Sequence, residues 1–352
     1  MTRRWKPGAR RWRSTPICVT GCRRRNASPR SPKGRGSEAL LTATAITLAG
    51  LGGALGLSSG AYTSRIQKAH PPSGRRVEVG GHDVHVLEAG KAGPPVLMIH
   101  GASANAREFS WTLAPRLEQD FRVLMADRPG HGHSARPPGA ETLGVQAAQM
   151  TGVLEALAPG EPAVVVGHSF GGAVALRVAL DRPDLVKGLV LLAPVTHDWG
   201  GEGHAWYNRF AASRLIGPAF SQVVPLVGPS QVEAGIGGVF DPSPAPEGYY
   251  DKSGIGLLFR PPAFRANARD VRVLDRELGE QSKRYGELSV PITVFSGSKD
   301  TVITPAKHTA RLKKQADIDL VILPEEGHMP HHKHGQDVAD AIRRLASLPG
   351  SR

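Results

Sequence analysis

Gly167-His168-Ser169-Phe170-Gly171-Gly172 sets a serine among glycines inside an otherwise apolar stretch. The run before it, Ala163-Val164-Val165-Val166, is short, β-branched and preceded by Pro162, which predicts a buried parallel strand. The run after it, Ala173 to Leu180, predicts a largely buried helix that ends before Asp181-Arg182-Pro183. A serine on such a turn is forced into a strained backbone. Glycines are needed at 167 and 171 because side chains there would strike the neighbouring strand and helix. The hydroxyl is pushed out at the C-terminal end of the strand, above a helix N-terminus that favours developing negative charge. The chemistry this predicts is nucleophilic attack by an alcohol. A lone hydroxyl is a poor nucleophile, so a base, an orienting acid and oxyanion donors must come from elsewhere in the chain.

Two later strand ends supply the first of these. Pro291-Ile292-Thr293-Val294-Phe295 reads as a buried strand, and the loop Ser296 to Asp300 brings Asp300 to the sheet edge that carries Ser169. A helix is predicted over 305–314 and a strand over 318–323. Glu325-Glu326-Gly327-His328-Met329-Pro330 then places His328 on that edge as well. The chain order Ser, Asp, His is the order expected for a fold that carries such an elbow. On these residues the sequence closely resembles the α/β-hydrolase superfamily, and two further segments carry the resemblance. His100-Gly101-Ala102 follows the strand Val96 to Ile99. The resemblance implies that this loop gives the Ala102 backbone N–H to an oxyanion hole, shared with the N–H of Phe170, while His100 and Gly101 shape it. Asp127-Arg128-Pro129-Gly130-His131-Gly132-His133-Ser134, after the strand Phe121 to Ala126, resembles the family's D-x-P-G-x-G-x-S turn.

The resemblance runs from about Val77 to Leu345. It implies an α/β-hydrolase fold, a mostly parallel doubly wound sheet with an inserted, mainly helical cap. It also implies a Ser169–His328–Asp300 triad, no cofactor, and a small-molecule ester or other acyl substrate. The serine argues against epoxide hydrolases and haloalkane dehalogenases, which the family builds with an aspartate nucleophile. Cleavage of carboxylic esters through an acyl-enzyme is the expected reaction. C–C bond hydrolysis with the same triad is the alternative within the family, and a catalytically silent binding protein on the same fold is the alternative outside enzymes.

Other polar residues take blander readings. His100, His131 and His133 are read as hydrogen-bond partners that structure loops. Asp127 is read as a turn or capping carboxylate, because its strand comes early in the sheet. His331, His332 and His334 follow His328, but neither a cysteine nor a paired carboxylate at ligand spacing accompanies them. They read as solvated residues at a helix start, and no metal site is expected. His168, at the variable position of the elbow, is expected to pack and counts among candidate pocket residues.

The elements that must hold these groups follow in order. Arg76 to Val79 and Val84 to Leu87 alternate with period two around Gly80-Gly81, the pattern of an antiparallel hairpin. Strand–helix alternation continues to Gly188–Ala193. From Pro194 to about Leu288 the pattern breaks in a segment rich in Pro and Gly that reads as a cap. Its aromatic residues either line an apolar acyl pocket over Ser169 or form the cap's own small core. Trp199, Trp206, Tyr207 and Phe259 are the pocket candidates besides His168. The expected organisation is a basic tail over 1–38, a transmembrane or signal-anchor segment over 39–62 and a linker over 63–75. The hydrolase core covers 76–193 and 289–348, and the cap covers 194–288.

Composition bounds the rest. A chain of 352 residues, 40% hydrophobic, can bury one sizeable core. Its net charge of +13 is local: Met1 to Gly36 holds twelve Lys/Arg and no acid, and removing those twelve leaves +1. The charge is therefore a tail rather than a basic face, and no nucleic-acid partner is expected. Both cysteines, Cys18 and Cys22, lie in that tail, which excludes a cysteine nucleophile and a disulfide in the folded domain. Ala39 to Tyr62 is 24 residues without a charge, diluted by five Gly, three Thr and two Ser. As a helix it would span about 36 Å, against a bilayer core of about 30 Å. It is read as an anchor that holds the catalytic domain on the non-cytoplasmic side of a membrane. The alternative is an exported enzyme, its signal peptide cut at the small-x-small site Ser59-Gly60-Ala61.

Overall fold

The computed structural model describes residues 35–199 and 205–349. The basic segment 1–34, with both cysteines, lies outside the described residues. Two compact units are distinguished, Met1–Gly50 and Leu51–Arg352. The chain runs through α1 (Arg35–Ala69), β1 (Arg75–Val79), β2 (His82–Ala89), β3 (Pro95–Ile99), α2 (Arg107–Ser110) and α3 (Ala114–Leu117). It continues through β4 (Arg122–Ala126), α4 (Leu143–Leu157), β5 (Ala163–His168), α5 (Phe170–Asp181) and β6 (Val186–Leu192). Among the described residues five cap helices follow: α6 (Trp206–Ala212), α7 (Gly217–Phe220), α8 (Val224–Phe240), α9 (Tyr249–Ser253) and α10 (Pro261–Gln281). The core then resumes with β7 (Ile292–Gly297), α11 (Thr309–Gln315), β8 (Asp319–Leu323), α12 (Pro330–Lys333) and α13 (Gly335–Ser347).

The strands form one eight-stranded sheet in the order β1-β2-β4-β3-β5-β6-β7-β8. β1, β2 and β4 pair antiparallel in succession, and every other neighbour is parallel. This is the α/β-hydrolase fold. Parallel strands need both faces covered, and their residues divide with period two. Leu97, Ile99, Val165, Leu189 and Leu191 join the core formed with α4, α5 and part of α10. Val96, Met98, Val164, Val166 and Val190 join the core formed with Phe109, Leu113, Leu117 and the α13 residues Val338, Ile342 and Leu345. Each such side chain contributes on the order of 1.5–3 kcal/mol by leaving water. The strand order reverses across β3, between β4 and β5, and open sheets of this kind gather their sites at the carboxyl ends of strands beside such a switch. Ser169 follows β5 directly.

The structure corrects the reading of residues 39–62. α1 is 35 residues long, enough to cross a bilayer, yet no helix among the described residues is both long and apolar enough to do so. The glycines and hydroxyl residues dilute the run, and its second half is committed elsewhere. Within the Leu51–Arg352 unit, Ser59, Tyr62, Ile66 and His70 are buried at helical spacing. Tyr62 Oη donates to the Gly256 carbonyl at 3.0 Å, and Tyr62 and Ile66 share a core with the cap residues Val232, Ile236, Phe240 and Leu257. The membrane partner, the membrane-anchored location and the transmembrane assignment therefore fall. Ser59-Gly60-Ala61, the expected cleavage site, sits inside a continuous helix with a buried face. The linker is also shorter than expected, because helix continues to Ala69.

Candidate active site

Ser169 caps α5 with φ 51° and ψ −115°, a positive φ that costs a non-glycine residue on the order of 1–3 kcal/mol. Surrounding bonds impose it. The Ser169 N–H donates to the Leu192 carbonyl at 2.9 Å, and its own carbonyl accepts from Gly172 and Val195 at 2.9 and 3.1 Å. A β-carbon at Gly167 would strike the backbone of Gly171 and Gly172, and one at Gly171 would strike the carbonyls of Ile99 and His100. Only glycine lets β5, α5 and the loop after β3 approach this closely. The serine is buried to 9% exposure at the mouth of this crossing.

Asp300 and His328 meet because the loops after β7 and β8 are laced together. Ser298 N–H donates to the Leu323 carbonyl and Lys299 N–H to that of Glu326, at 2.9 and 2.8 Å. Asp300 Oδ1 accepts from Val302 and Ile303 N–H at 2.9 and 2.8 Å, and Oδ2 accepts from His328 Nδ1 at 2.8 Å. Both side chains are nearly fully buried. Among the described residues His328 Nε2 has no hydrogen-bond partner. His168 joins this loop to the elbow: its Nε2 donates to the His328 carbonyl at 3.0 Å, and the two rings lie 5.0 Å apart. A strained serine on an elbow that is tied to the loop of His328, whose imidazole is held by a carboxylate, is a donor set suited to nucleophilic acyl transfer.

The loop after β3 lies against the elbow, with Gly101 packed on Ser169 and His168. Phe170 opens α5, so its N–H lacks an intrahelical acceptor. The Ala102 N–H likewise makes no hydrogen bond among the described residues. Ser103, with φ 60°, donates from its N–H to Asn267 Oδ1 of α10 at 2.7 Å, and Asn267 Nδ2 donates back to Ser103 Oγ at 3.2 Å. Beneath runs Arg128, fully buried, which donates to the carbonyls of His100 and Gly101, each at 3.0 Å. It also pairs with Asp270 of α10 at 3.0 Å and stacks 4.2 Å from the Phe170 ring. Gly101 C=O and Ala102 N–H belong to one peptide group, so a cationic donor on the oxygen polarises the N–H as well. Burial lowers the Arg128 pKa only to about 10, so the guanidinium stays charged at neutral pH. His100 accepts from Arg128 N–H at 2.9 Å through Nε2, and burial followed by the Arg128 charge pushes it down to about 3, leaving it neutral.

Residues 96–341 match the profile of the Alpha/beta hydrolase family, a span that contains Ser169, Asp300, His328, Ala102, Phe170 and Arg128. The chain belongs to the alpha/beta hydrolase family. It is a hydrolase of that family, and the comparisons with individual proteins are broader. The 2-(acetamidomethylene)succinate hydrolase of Mesorhizobium japonicum is 28% identical over 262 residues, 72% of this chain and 88% of that one. The 2-hydroxymuconate semialdehyde hydrolase of a Pseudomonas species is 38% identical over 125 residues, 35% of this chain and 44% of that one. Among solved structures, an enol-lactonase from Burkholderia xenovorans shares the fold with a TM-score of 0.61 and 18% identity, over 78% of this chain and all of that one.

Elsewhere in this hydrolase the expected residues lie as follows. Trp206 and Tyr207 are 70% and 41% exposed on α6. Phe259 is buried in the cap's own core, and Trp199 lies with its ring 5.2 Å from His308. The cap-core reading therefore fits Phe259, and a pocket-lining role finds no support for the two exposed aromatics. A surface hollow of about 930 Å³ lies between the second half of α1 and the cap, lined by residues such as Ser59, Lys68 and Arg265, and Ser169 is not part of its lining. Asp127 accepts from Ala106 N–H, His133 N–H and His85 Nδ1 at 2.8, 2.8 and 2.7 Å, the environment of a turn carboxylate.

His331 and His332 are not solvated. His331 is fully buried, and both donate from Nε2 to Oε1 of Glu108, at 3.0 and 2.6 Å. Tyr249 Oη donates to the other oxygen at 2.7 Å. Burial pushes the Glu108 carboxyl up, but the bonds from His331 and His332 outweigh it and hold the group below the usual carboxylate range. Among the described residues this is the one His/Cys/Asp/Glu group whose ligand atoms converge, all within 4.8 Å of one another. Sequence reasoning missed Glu108, Arg128 and Asn267 as working residues. Arg128 stood inside a recognised turn, but the other two carried no local signal.

Proposed function

We propose that this hydrolase cleaves carboxylic esters through an acyl-enzyme. Ser169 Oγ attacks the carbonyl carbon while His328 Nε2 takes its proton, and Asp300 holds the imidazole in the tautomer that leaves Nε2 free. The carbonyl oxygen becomes an oxyanion, received by the N–H groups of Ala102 and Phe170. Collapse of the tetrahedral intermediate breaks the C–O bond, and the departing alkoxide takes the proton from His328. Water, deprotonated by His328, then releases the acid and restores Ser169. The observation that carries this reading is the His328 ring, tied to Asp300 through Nδ1 and unbonded at Nε2 among the described residues, on a loop that His168, the residue before a serine held at positive φ, ties to the elbow through its bond to the His328 carbonyl.

The test is active-site labelling with a fluorophosphonate, together with turnover of short p-nitrophenyl esters. Ser169→Ala should abolish labelling and reduce turnover on the order of a million-fold. A clean Ser169→Ala preparation that still hydrolyses the ester at an appreciable rate would exclude Ser169 as nucleophile. A second reading, C–C bond hydrolysis by the same three residues, is favoured by the similarity to 2-hydroxymuconate semialdehyde hydrolase. Loss of the absorbance of a 2-hydroxy-6-oxo-dienoate, with esters left intact, would select it.

A further inference from the structure

We propose that Glu108, His331 and His332 bind one divalent transition-metal ion of the zinc class, in a structural site beneath the His328 loop. The donor set is two imidazole nitrogens and one carboxylate oxygen, which suits zinc and leaves a fourth position to water. Bonds of about 2.0 Å would place tetrahedral donors about 3.3 Å apart. His331 Nε2 and His332 Nε2 already lie 3.0 and 2.6 Å from Glu108 Oε1. The carboxylate is pre-aimed, because Tyr249 Oη holds its other oxygen. Around His332 stand the rings of Trp111, Phe240 and Tyr249.

A second observation points to a ligand. In the metal-free state His331 must carry its proton on Nε2, which leaves Nδ1 a bare acceptor, and that atom is buried with no partner. His168 likewise spends its Nε2 proton on the His328 carbonyl, and its Nδ1 is also buried with no partner. The two rings lie 5.0 Å apart. Each is a buried acceptor with no donor, a costly arrangement. A metal on His331 Nε2 moves the proton to Nδ1, so binding changes the state of one of these two atoms. The ion takes no part in acyl transfer; it ties α2 to the loop that carries His328 and, through Tyr249, to the cap.

The test uses the purified full-length chain carrying Cys18→Ser and Cys22→Ser, so that the tail thiols do not compete. After stripping with a chelator, Zn(II) is titrated against a chromogenic competitor, and Co(II) is followed by its visible absorption. One equivalent should bind with a Kd below about 1 μM and raise the Tm. His332→Gln and Glu108→Gln should weaken binding more than about 100-fold, and Tyr249→Phe about 10- to 100-fold. His334→Gln, a neighbouring histidine paired with Asp337, should leave binding unchanged. His332 is the less buried ligand, so its variant decides should Glu108→Gln fail to fold. Absence of stoichiometric uptake by the folded chain, or uptake that His332→Gln leaves unaltered, overturns the site.

Discussion

His85–Asp127 and His328–Asp300 are built from the same side chains, through the same ring nitrogen, at 2.7 and 2.8 Å, and both are buried. Each carboxylate is further fixed by two backbone N–H groups, Ala106 and His133 for Asp127, Val302 and Ile303 for Asp300. The difference lies at the far side of each imidazole. His85 Nε2 is taken up by the Ser73 carbonyl at 2.6 Å, whereas His328 Nε2 has no partner among the described residues. The first ring therefore bridges two fixed groups and closes a corner of the fold, while the second keeps a lone pair available to a reacting proton. A buried His–Asp pair does not by itself mark a reactive centre. What the second nitrogen touches decides its use.

The sharpest way to break the comparison is Asp300→Asn. Turnover should fall roughly ten-thousand-fold at neutral pH, since the amide favours the wrong tautomer of His328, with the melting temperature little changed. Ester kinetics and a melting curve on one preparation suffice, and near-normal turnover would remove Asp300 from the orienting role. Arg128→Met comes next, because it leaves Asp270 buried with Arg136 as its remaining cationic partner at a cost of about 3–5 kcal/mol. It also releases the His100 and Gly101 carbonyls, so kcat should fall more than KM rises. The double variant Arg128→Met, Asp270→Leu should recover stability without recovering kcat. Recovery of both would show that Arg128 serves packing alone.

Asp127→Asn should have a smaller and different effect. The amide cannot accept from all three donors now on the carboxylate, which costs about 1–3 kcal/mol, while turnover stays within about tenfold of the parent. A collapse in turnover at unchanged stability would exchange the roles of the two pairs. Acidification gives the mildest test. Burial pushes His100 down to about 3 and His308 to about 4, from 6.5 when unfolded. Between pH 6.5 and those values the unfolded chain takes up protons that the native state refuses, so stability is full above about pH 6.5 and declines below it. Burial pushes the Asp127 carboxyl up, but the hydrogen bond from His85 and its other donors outweigh it, so its pKa is depressed and its contribution is lost in the same direction below 3.8. A melting temperature that holds constant or rises from pH 7 to 4 would contradict this ordering.

The elbow and the strand ends were legible because their signals are local. Short β-branched runs, the glycines around Ser169 and the turn residues after β7 and β8 each constrain only their own few residues. The resemblance to the α/β-hydrolase family rested on those segments, and the family match over residues 96–341 bears it out. The reading failed where a run of residues was judged without its neighbours. Residues 39–62 are uncharged enough to suggest a membrane helix, but Tyr62 and Ile66 face cap residues such as Gly256 and Leu257, distant in sequence. His331 and His332 looked solvated because Glu108 lies 223 residues before His331. Trp206 and Tyr207 were aromatic and in the cap, which says nothing of the face they occupy.

Periodicity and turn chemistry in the sequence alone determined the alternation of strands and helices, the strained serine and the order Ser169, Asp300, His328. These depend on interactions between residues a few positions apart, which the chain carries wherever it folds. Only the tertiary structure decided which of two His–Asp pairs keeps a free nitrogen, where Arg128 places its charge, and that Glu108 gathers two histidines into the interior. Those outcomes depend on which faces pack together and exclude water, and burial is a property of the assembled fold rather than of any segment.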